Sequence, residues 1–546
     1  MNFTVATSTL SGGAWLNASP ASGSINPDQP AAVNVTVNPS SLSPGDYYGQ
    51  LRIDAPGAPN SPEFLTVVLN VSPPGTNPGP VVEPTGLVFV GVIGSPTPAA
   101  QSVRITNLTN RNSSFTAVGS SVGGTSWFTI SAASGNVAPN QPVDIKVQPN
   151  SGLPAGVYRG SLVLQFPQDN ASRTVDLLLV VTPVVNSPSA ASERLPTPAA
   201  TATCTPAKLL PVFTSLGSNF NAPAAWPAAI EVSVTDDCGS PVSTGSVITS
   251  FSNGDSPLNL ASQQDGHWSA TWAPLHSQNP LLVTVTAQQP QTNLQGSIQV
   301  SGNVQDNPNI PAVSPGGLVS LGSYAAMPSP SPGELVAVFG INLANGSQSA
   351  PALPLSVQMQ GTELFLAGRP LPLVFISPNQ INAMLPYGIT PGTTYQLVAA
   401  RGNRLSLPQP VTVAAAEPAI FTTTANGLGQ GDVFVYTAAG EQILAGPAHP
   451  AKAGDILIIY CAGLGRVDPP IDAGVAVDGL IRTFTPVGLT IGGVQAQVLF
   501  SGLTGHFTGL YQVNARMPDG VTPGDTVPVV LSVGNVSSPP VSMAVR

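Results

Sequence analysis

The feature that most constrains the fold is a unit that occurs twice between residues 332 and 546. Pro332-Gly333-Glu334-Leu335-Val336-Ala337-Val338-Phe339 returns as Ala453-Gly454-Asp455-Ile456-Leu457-Ile458-Ile459-Tyr460, and Gln380-Ile381-Asn382-Ala383 returns as Gln512-Val513-Asn514-Ala515. Between these anchors Leu373-Val374-Phe375 is echoed by Val498-Leu499-Phe500, while the offset grows from 121 to 125 to 132. Strands keep their length while loops drift, so this is one domain duplicated. Each copy reads as short apolar runs between Pro/Gly turns, the pattern of a small β-sandwich, and no window holds a sustained helical period.

A second duplication opens the chain. Trp15-Leu16 and Ser22-Gly23 recur as Trp127-Phe128 and Ser134-Gly135 at an offset of 112. Val33, Val35 and Val37 alternate as Val143, Ile145 and Val147 do, and the Tyr47 turn parallels the Tyr158 turn. Leu51 and Ile53, like Leu162 and Leu164, are expected to face a core. The second copy is preceded by two strand-like segments, Gly86-Leu87-Val88-Phe89-Val90 and Gln101-Ser102-Val103-Arg104-Ile105, that the first copy lacks. Two explanations stand: a signal and further sequence lie upstream of Met1, or a strand from another subunit fills the gap.

The expected organisation is all-β, with tandem immunoglobulin-like β-sandwiches joined by Pro-rich linkers. Its parts are an incomplete sandwich at 1–72, a complete one at 84–183, a Pro/Ser/Thr linker at 184–203, a third sandwich at 204–303, a connector at 304–331, and the duplicated pair at 332–415 and 416–546. Residues 73–83 read as a stiff Pro-rich spacer. In the third unit Trp268, Ala270 and Trp272 share a strand face, and Cys204 and Cys238 are a disulfide candidate.

With 59 Pro and 55 Gly, about a fifth of the chain forms turns, yet 42% is hydrophobic, which separates it from disordered low-complexity sequence. Only 8% is charged and the net charge is −10. No Lys/Arg cluster is present to neutralise phosphates, so nucleic acid is a poor partner. No apolar run is long enough for a membrane-spanning helix. A disulfide would suit an extracellular or cell-surface setting; Met1-Asn2-Phe3-Thr4-Val5 has no secretion-signal pattern, so the signal is expected upstream.

These residues carry several resemblances. Trp15/Trp127, Ser22-Gly23/Ser134-Gly135 and Tyr47/Tyr158 make the first two units resemble BACON domains, which implies β-sandwiches associated with carbohydrate binding. Tyr460-Cys461-Ala462-Gly463-Leu464-Gly465 and Gly509-Leu510-Tyr511-Gln512-Val513-Asn514 make residues 316–546 resemble an uncharacterised C-terminal family of secreted Solibacter-type proteins. Each half is also similar to an IPT/TIG repeat, and the middle unit is similar to bacterial Ig-like modules.

Catalytic equipment is thin. The four histidines show no metal-ligand spacing, and neither a Gly-x-Ser-x-Gly elbow nor a phosphate loop occurs. Asp468, Asp472 and Asp478 share one loop without matching a calcium pattern, and read as solvated turn residues. Cys461 reads as a small buried hydrophobe. Trp15, Trp127, Trp268 and Trp272 are either core plugs or stacking platforms for sugar. The expectation is a non-enzymatic structural or adhesive protein without cofactor. Its partners would be other subunits or cell-surface proteins, with fibre assembly through strand complementation of the first domain. The alternatives are polysaccharide binding through the BACON-like or middle unit, and an accessory region of a larger secreted enzyme.

Overall fold

The structure is a computed structural model and describes residues 1–26, 31–58, 61–74, 76, 79–124, 126–183, 204–324 and 329–546. The linker expected at 184–203 lies outside the described residues. Apart from one 3-10 turn at Pro167–Asp169, the regular elements among the described residues are strands, as the turn-punctuated apolar runs required. The chain divides into two compact units, residues 72–307 and residues 1–71 with 308–546.

The first domain comprises β1 (Asn2–Thr9), β2 (Leu16–Ser19), β3 (Ser22–Ser24), β4 (Asn34–Val37), β5 (Gly45–Asp54) and β6 (Glu63–Val71). One sheet runs β3-β1-β5-β6, and β2 pairs only with β4. The second domain comprises β7 (Pro80–Glu83), β8 (Gly86–Val92), β9 (Gln101–Asn107), β10 (Ser113–Ser121), β11 (Phe128–Ile130), β12 (Ser134–Val137), β13 (Val143–Pro149), β14 (Gly156–Phe166) and β15 (Ala171–Thr182). Its sheets run β12-β10-β14-β15-β8 and β11-β13-β9-β7. Strands β10 to β15 therefore repeat β1 to β6 in order and pairing.

Two expectations need correcting. Residues 73–83 are not wholly a spacer, because β7 pairs with β9; Pro80 is tolerated as the first residue of an edge strand. The alignment of β4 is also shifted by two residues. Leu16 faces Val37 as Phe128 faces Pro149, so Val33, Val35 and Val37 correspond to Ile145, Val147 and Pro149. An even shift preserves the facing of every side chain, which is why sequence alternation did not reveal it. The repeated Ser-Gly has a steric origin: a Cβ on Gly23 or Gly135 would sit 2.8 Å from the ring of Phe3 or Phe115.

The third domain packs Leu209–Phe213, Ala228–Asp236 and His267–Trp272 against Ser246–Phe251, Gln278–Gln289 and Leu294–Gln305. Within the same unit Leu210 and Val212 bury against Leu178 and Val180, sealing the outer face of β15.

In the duplicated pair, Leu335–Ile341, Gln380–Met384 and Leu373–Ser377 form adjacent strands, and Ile456–Ala462, Tyr511–Arg516 and Gln497–Leu503 repeat the arrangement. Both copies break register at the same place, between Leu373 and Phe375 and between Val498 and Phe500. In both, the repeated Gln-x-Asn is a hydrogen-bonded pair of side chains, from Gln380 to Asn382 at 2.7 Å and from Gln512 to Asn514 at 2.6 Å. Part of the expected connector at 304–331 is a strand. Ala312–Ser320 pairs with Leu335–Ile341, and the Pro315-Gly316-Gly317 stretch that reads as linker lies inside a register shift. Val433–Tyr436 pairs with Ile456–Ala462 ahead of the second copy.

Candidate functional site

The departure from a closed fold is in the first domain. In the second domain β8 runs parallel to β15, setting Leu87 beside Leu177 and Phe89 beside Leu179, and β9 runs antiparallel to β13, setting Val103 beside Ile145. Phe89 meets Trp127 edge-on with ring centroids 6.4 Å apart. Val82, Leu87, Phe89, Val103 and Ile105 all lie in the buried core. Among the described residues the first domain has no counterpart of β7, β8 or β9, so β6 and β4 each keep an edge without a strand partner.

Exposure follows directly. Val35, Val37 and Leu65 are 44%, 43% and 49% exposed, whereas Val147 and Val175 at the matching positions are wholly buried, and Pro149, matching Val37, is buried. The described core of the first domain has five buried apolar side chains, against nineteen in the second. Trp15 stays buried because Tyr47 packs edge-on against it at 6.5 Å. The result is a row of apolar side chains, Val35, Val37 and Leu65, facing outward on the first domain.

The opposite face of the β5-β6 sheet is covered within its own unit. Phe64 packs on Gly368, Thr66 Oγ1 donates to the Ser406 carbonyl at 3.2 Å, and Gln396 Nε2 donates to Glu63 Oε2 at 2.6 Å. Beside this contact lies a cleft of about 400 Å³ whose lining includes Gln50, Arg52, Phe64, Phe365 and Gln396.

The tryptophans are elsewhere, and the stacking reading of them is corrected. Trp15, Trp127, Trp268 and Trp272 are at most 4% exposed, so none presents a ring face to a sugar. Their indole N–H groups donate internally, to the carbonyls of Ser11, Arg159 and Val242 and to Asp255 Oδ2. Cys204 and Cys238 form a disulfide with Cα atoms 5.7 Å apart. Cys461 is fully buried, and burial pushes its thiol well up from its ordinary range.

The buried polar groups serve the fold. Asp255 accepts from Trp272 Nε1, from the Leu275 and His276 amides, and pairs with His276 Nδ1 at 2.8 Å. Asn107, the Asn of one Asn-x-Thr triplet, is buried and donates to the carbonyls of Arg111 and Val137. Asp468, Asp472 and Asp478 are exposed, and among the described residues no three His, Cys, Asp or Glu side chains gather as a metal site would require.

Glu334 was not singled out by the sequence. It is wholly buried; its Oε2 accepts from the Ser331 amide at 2.8 Å and the Ser331 hydroxyl at 3.0 Å, while Oε1 has no hydrogen-bond partner. Burial pushes its carboxyl up to about 8, against the pull of the Ser331 amide. The repeat explains the acid: Asp455 accepts from the Lys452 amide in the same way, three residues back, but there the turn is half exposed.

Residues 1–71 and 82–171 match the family model described as the viral BACON domain. No curated protein matches the chain. Solved structures with similar folds include the CupB2 chaperone of Pseudomonas aeruginosa, at 13% identity and TM-score 0.18, covering 40% of this chain and 100% of the other. A chaperone–adhesion subunit complex of Acinetobacter baumannii Csu pili matches at 8% identity and TM-score 0.20, covering 41% and 99%. The PapD-like domain 7 of human CEP192 matches at 10% and 0.18, covering 21% and 96%. By its own sheets the chain is a series of β-sandwich domains, of which the first two are similar to BACON domains.

Proposed function

We propose that the protein is a non-enzymatic, extracellular or cell-surface module array that works by presenting and joining β-sandwiches, as a structural or adhesive component. The observation that carries this reading is the row of exposed apolar side chains Val35, Val37 and Leu65 on the first domain. The Cys204–Cys238 disulfide supports an oxidising compartment. The use of Asp255, Asn107 and Glu334 as internal fold-holding groups supports a scaffold rather than a catalyst. We read the C-terminal pair as IPT/TIG-like repeats of the Solibacter-type family, on the strength of their shared strand order and common bulge.

The test is to present the purified chain to intact cells and to a panel of polysaccharides while assaying glycan and ester hydrolysis. Saturable attachment to protein on the cell surface without turnover is expected; hydrolysis of any panel member would refute the reading. Polysaccharide recognition is the second reading. With the tryptophans buried, it moves to the cleft lined by Gln50, Arg52 and Gln396, whose polar groups suit hydroxyl-rich chains. It predicts that Arg52→Ala abolishes retention on a polysaccharide column, and retention unchanged by that substitution would refute it.

A further inference from the structure

We propose that the outer sheet face of the second C-terminal copy binds a carboxylate-bearing polysaccharide, the guanidinium groups of Arg466 and Arg482 taking its carboxylates and the Gln512–Asn514 pair its ring hydroxyls. This goes beyond the structural or adhesive reading above and does not depend on it. Strands Ile456–Ala462, Tyr511–Arg516, Gln497–Leu503, Arg482–Thr483 and Val467–Asp468 lie side by side in one sheet, about 19 Å across at the usual strand spacing. Tyr511, Val513 and Ala515 point into the core, so Gln512, Asn514 and Arg516 point outward. Phe500 stands opposite Asn514, and Gly502 stands opposite both Gln512 and Arg482, which sets all of these on the outer face. The Phe500 ring lies over Gly502, where a Cβ would meet it at 2.7 Å, and the Arg482 guanidinium is 5.0 Å from the ring centre. Phe484, two residues on from Arg482 and 67% exposed, has the Arg466 guanidinium 5.8 Å from its ring centre.

Charge, hydrogen bonding and shape agree on this ligand. Arg466, Arg482 and Arg516 are exposed and form no ion pair among the described residues; Asp468 stands opposite Arg482 in the ladder without closing one. In a chain of net charge −10 the fold thus gathers cations that the sequence scatters, and a guanidinium keeps its charge at any working pH. Gln512 Nε2 donates to Asn514 Oδ1 at 2.6 Å, which leaves Gln512 Oε1 as an acceptor and Asn514 Nδ2 as a donor with no protein partner among the described residues. Neighbouring sugar hydroxyls match that pair. A uronate ring keeps its hydroxyls beside the carboxylate, whereas sulfation consumes them. Phe484 and Phe500 offer apolar plates to the C–H faces of sugar rings, and guanidinium forks fit carboxylates. The first copy isolates what is particular to the second. It repeats the Gln380–Asn382 pair beside Phe375, but Met384 stands where the second copy has Arg516, buried and with its Sδ accepting from the Gly474 amide.

The experiment measures binding of the full chain to polygalacturonate by affinity electrophoresis, with dextran, dextran sulfate and a single-stranded DNA oligonucleotide as comparison probes. Polygalacturonate is expected to retard the chain. Arg466→Gln with Arg482→Gln should weaken binding by about ten-fold or more, and Phe484→Ala by about three-fold or more. All three positions are exposed, so melting temperatures should not move. Lys146→Gln, an equal charge change in the second domain, and Arg52→Ala, in the cleft, should leave binding unchanged. No retardation by polygalacturonate, equal retardation by dextran, or tighter binding of dextran sulfate or the oligonucleotide would overturn the proposal. Weakening by Lys146→Gln equal to that of the arginine pair, or binding indifferent to Phe484→Ala, would overturn it by reporting net charge alone. Loss through Arg52→Ala with no loss through the arginine pair would overturn this face in favour of the cleft.

Discussion

At the scale of single residues, Glu334 makes the sharpest prediction. Its carboxyl is raised from the ordinary range to about 8 by burial. From the unfolded-state value up to about pH 8 the native state keeps a proton that the unfolded chain has released. Stability therefore falls as pH rises through that window and levels off above it. Glu334→Gln is neutral throughout and should remove the slope, leaving the variant close to wild type near pH 5 and more stable by on the order of a few kcal/mol near pH 9. Urea melts across that range check it, and parallel slopes in both proteins would disprove the assignment. The sequence showed an acid at a repeated turn, which is legible, but its burial depends on what packs over the turn in only one of two copies. Gly463 is similar: its left-handed φ of 74° and a Cβ that would meet the Glu417 carbonyl at 1.8 Å are properties of a tertiary contact. The sequence leaves both alternatives open for the tryptophans because a strand's alternation tells which side chains share a face, not whether that face is covered.

At the scale of strands, the two BACON-like copies form an internal control. Val147 is fully buried in β13, which β9 flanks in the same sheet, whereas Val35, at the matching position, is nearly half exposed. Truncating Val147 to Ala should cost about 1–3 kcal/mol, and truncating Val35 to Ala less than about 0.5 kcal/mol. Domain-resolved melts that gave equal costs would contradict the open-face geometry. The repeat itself was legible, because Trp15-Leu16 and Ser22-Gly23 return at a constant offset of 112. The strands at Ala312–Ser320 and Pro80–Glu83 were not, because Pro and Gly mark a bulge or an edge strand as readily as a linker. Register within β4 escaped for a related reason: a two-residue slip leaves every side chain on its own face.

At the scale of the whole molecule, stability is distributed among separate cores, so local changes should have local effects. Replacing Cys204 and Cys238 together by Ala opens a loop of sequence separation 34 and should destabilise the third domain by about 2–4 kcal/mol. The duplicated pair has its own cores, and its transition should be unmoved in calorimetry; a shift of every transition would argue for a single cooperative body. The central claim is that the core face of the first domain is less covered than that of the second, with Val35 and Leu65 nearly half exposed where Val147 and Val175 are buried. Amide hydrogen exchange on the full chain tests it most directly, by comparing β4 and β6 with β13 and β15. The account predicts that β4 and β6 exchange faster by an order of magnitude or more, and equal protection of the matched strands would contradict it.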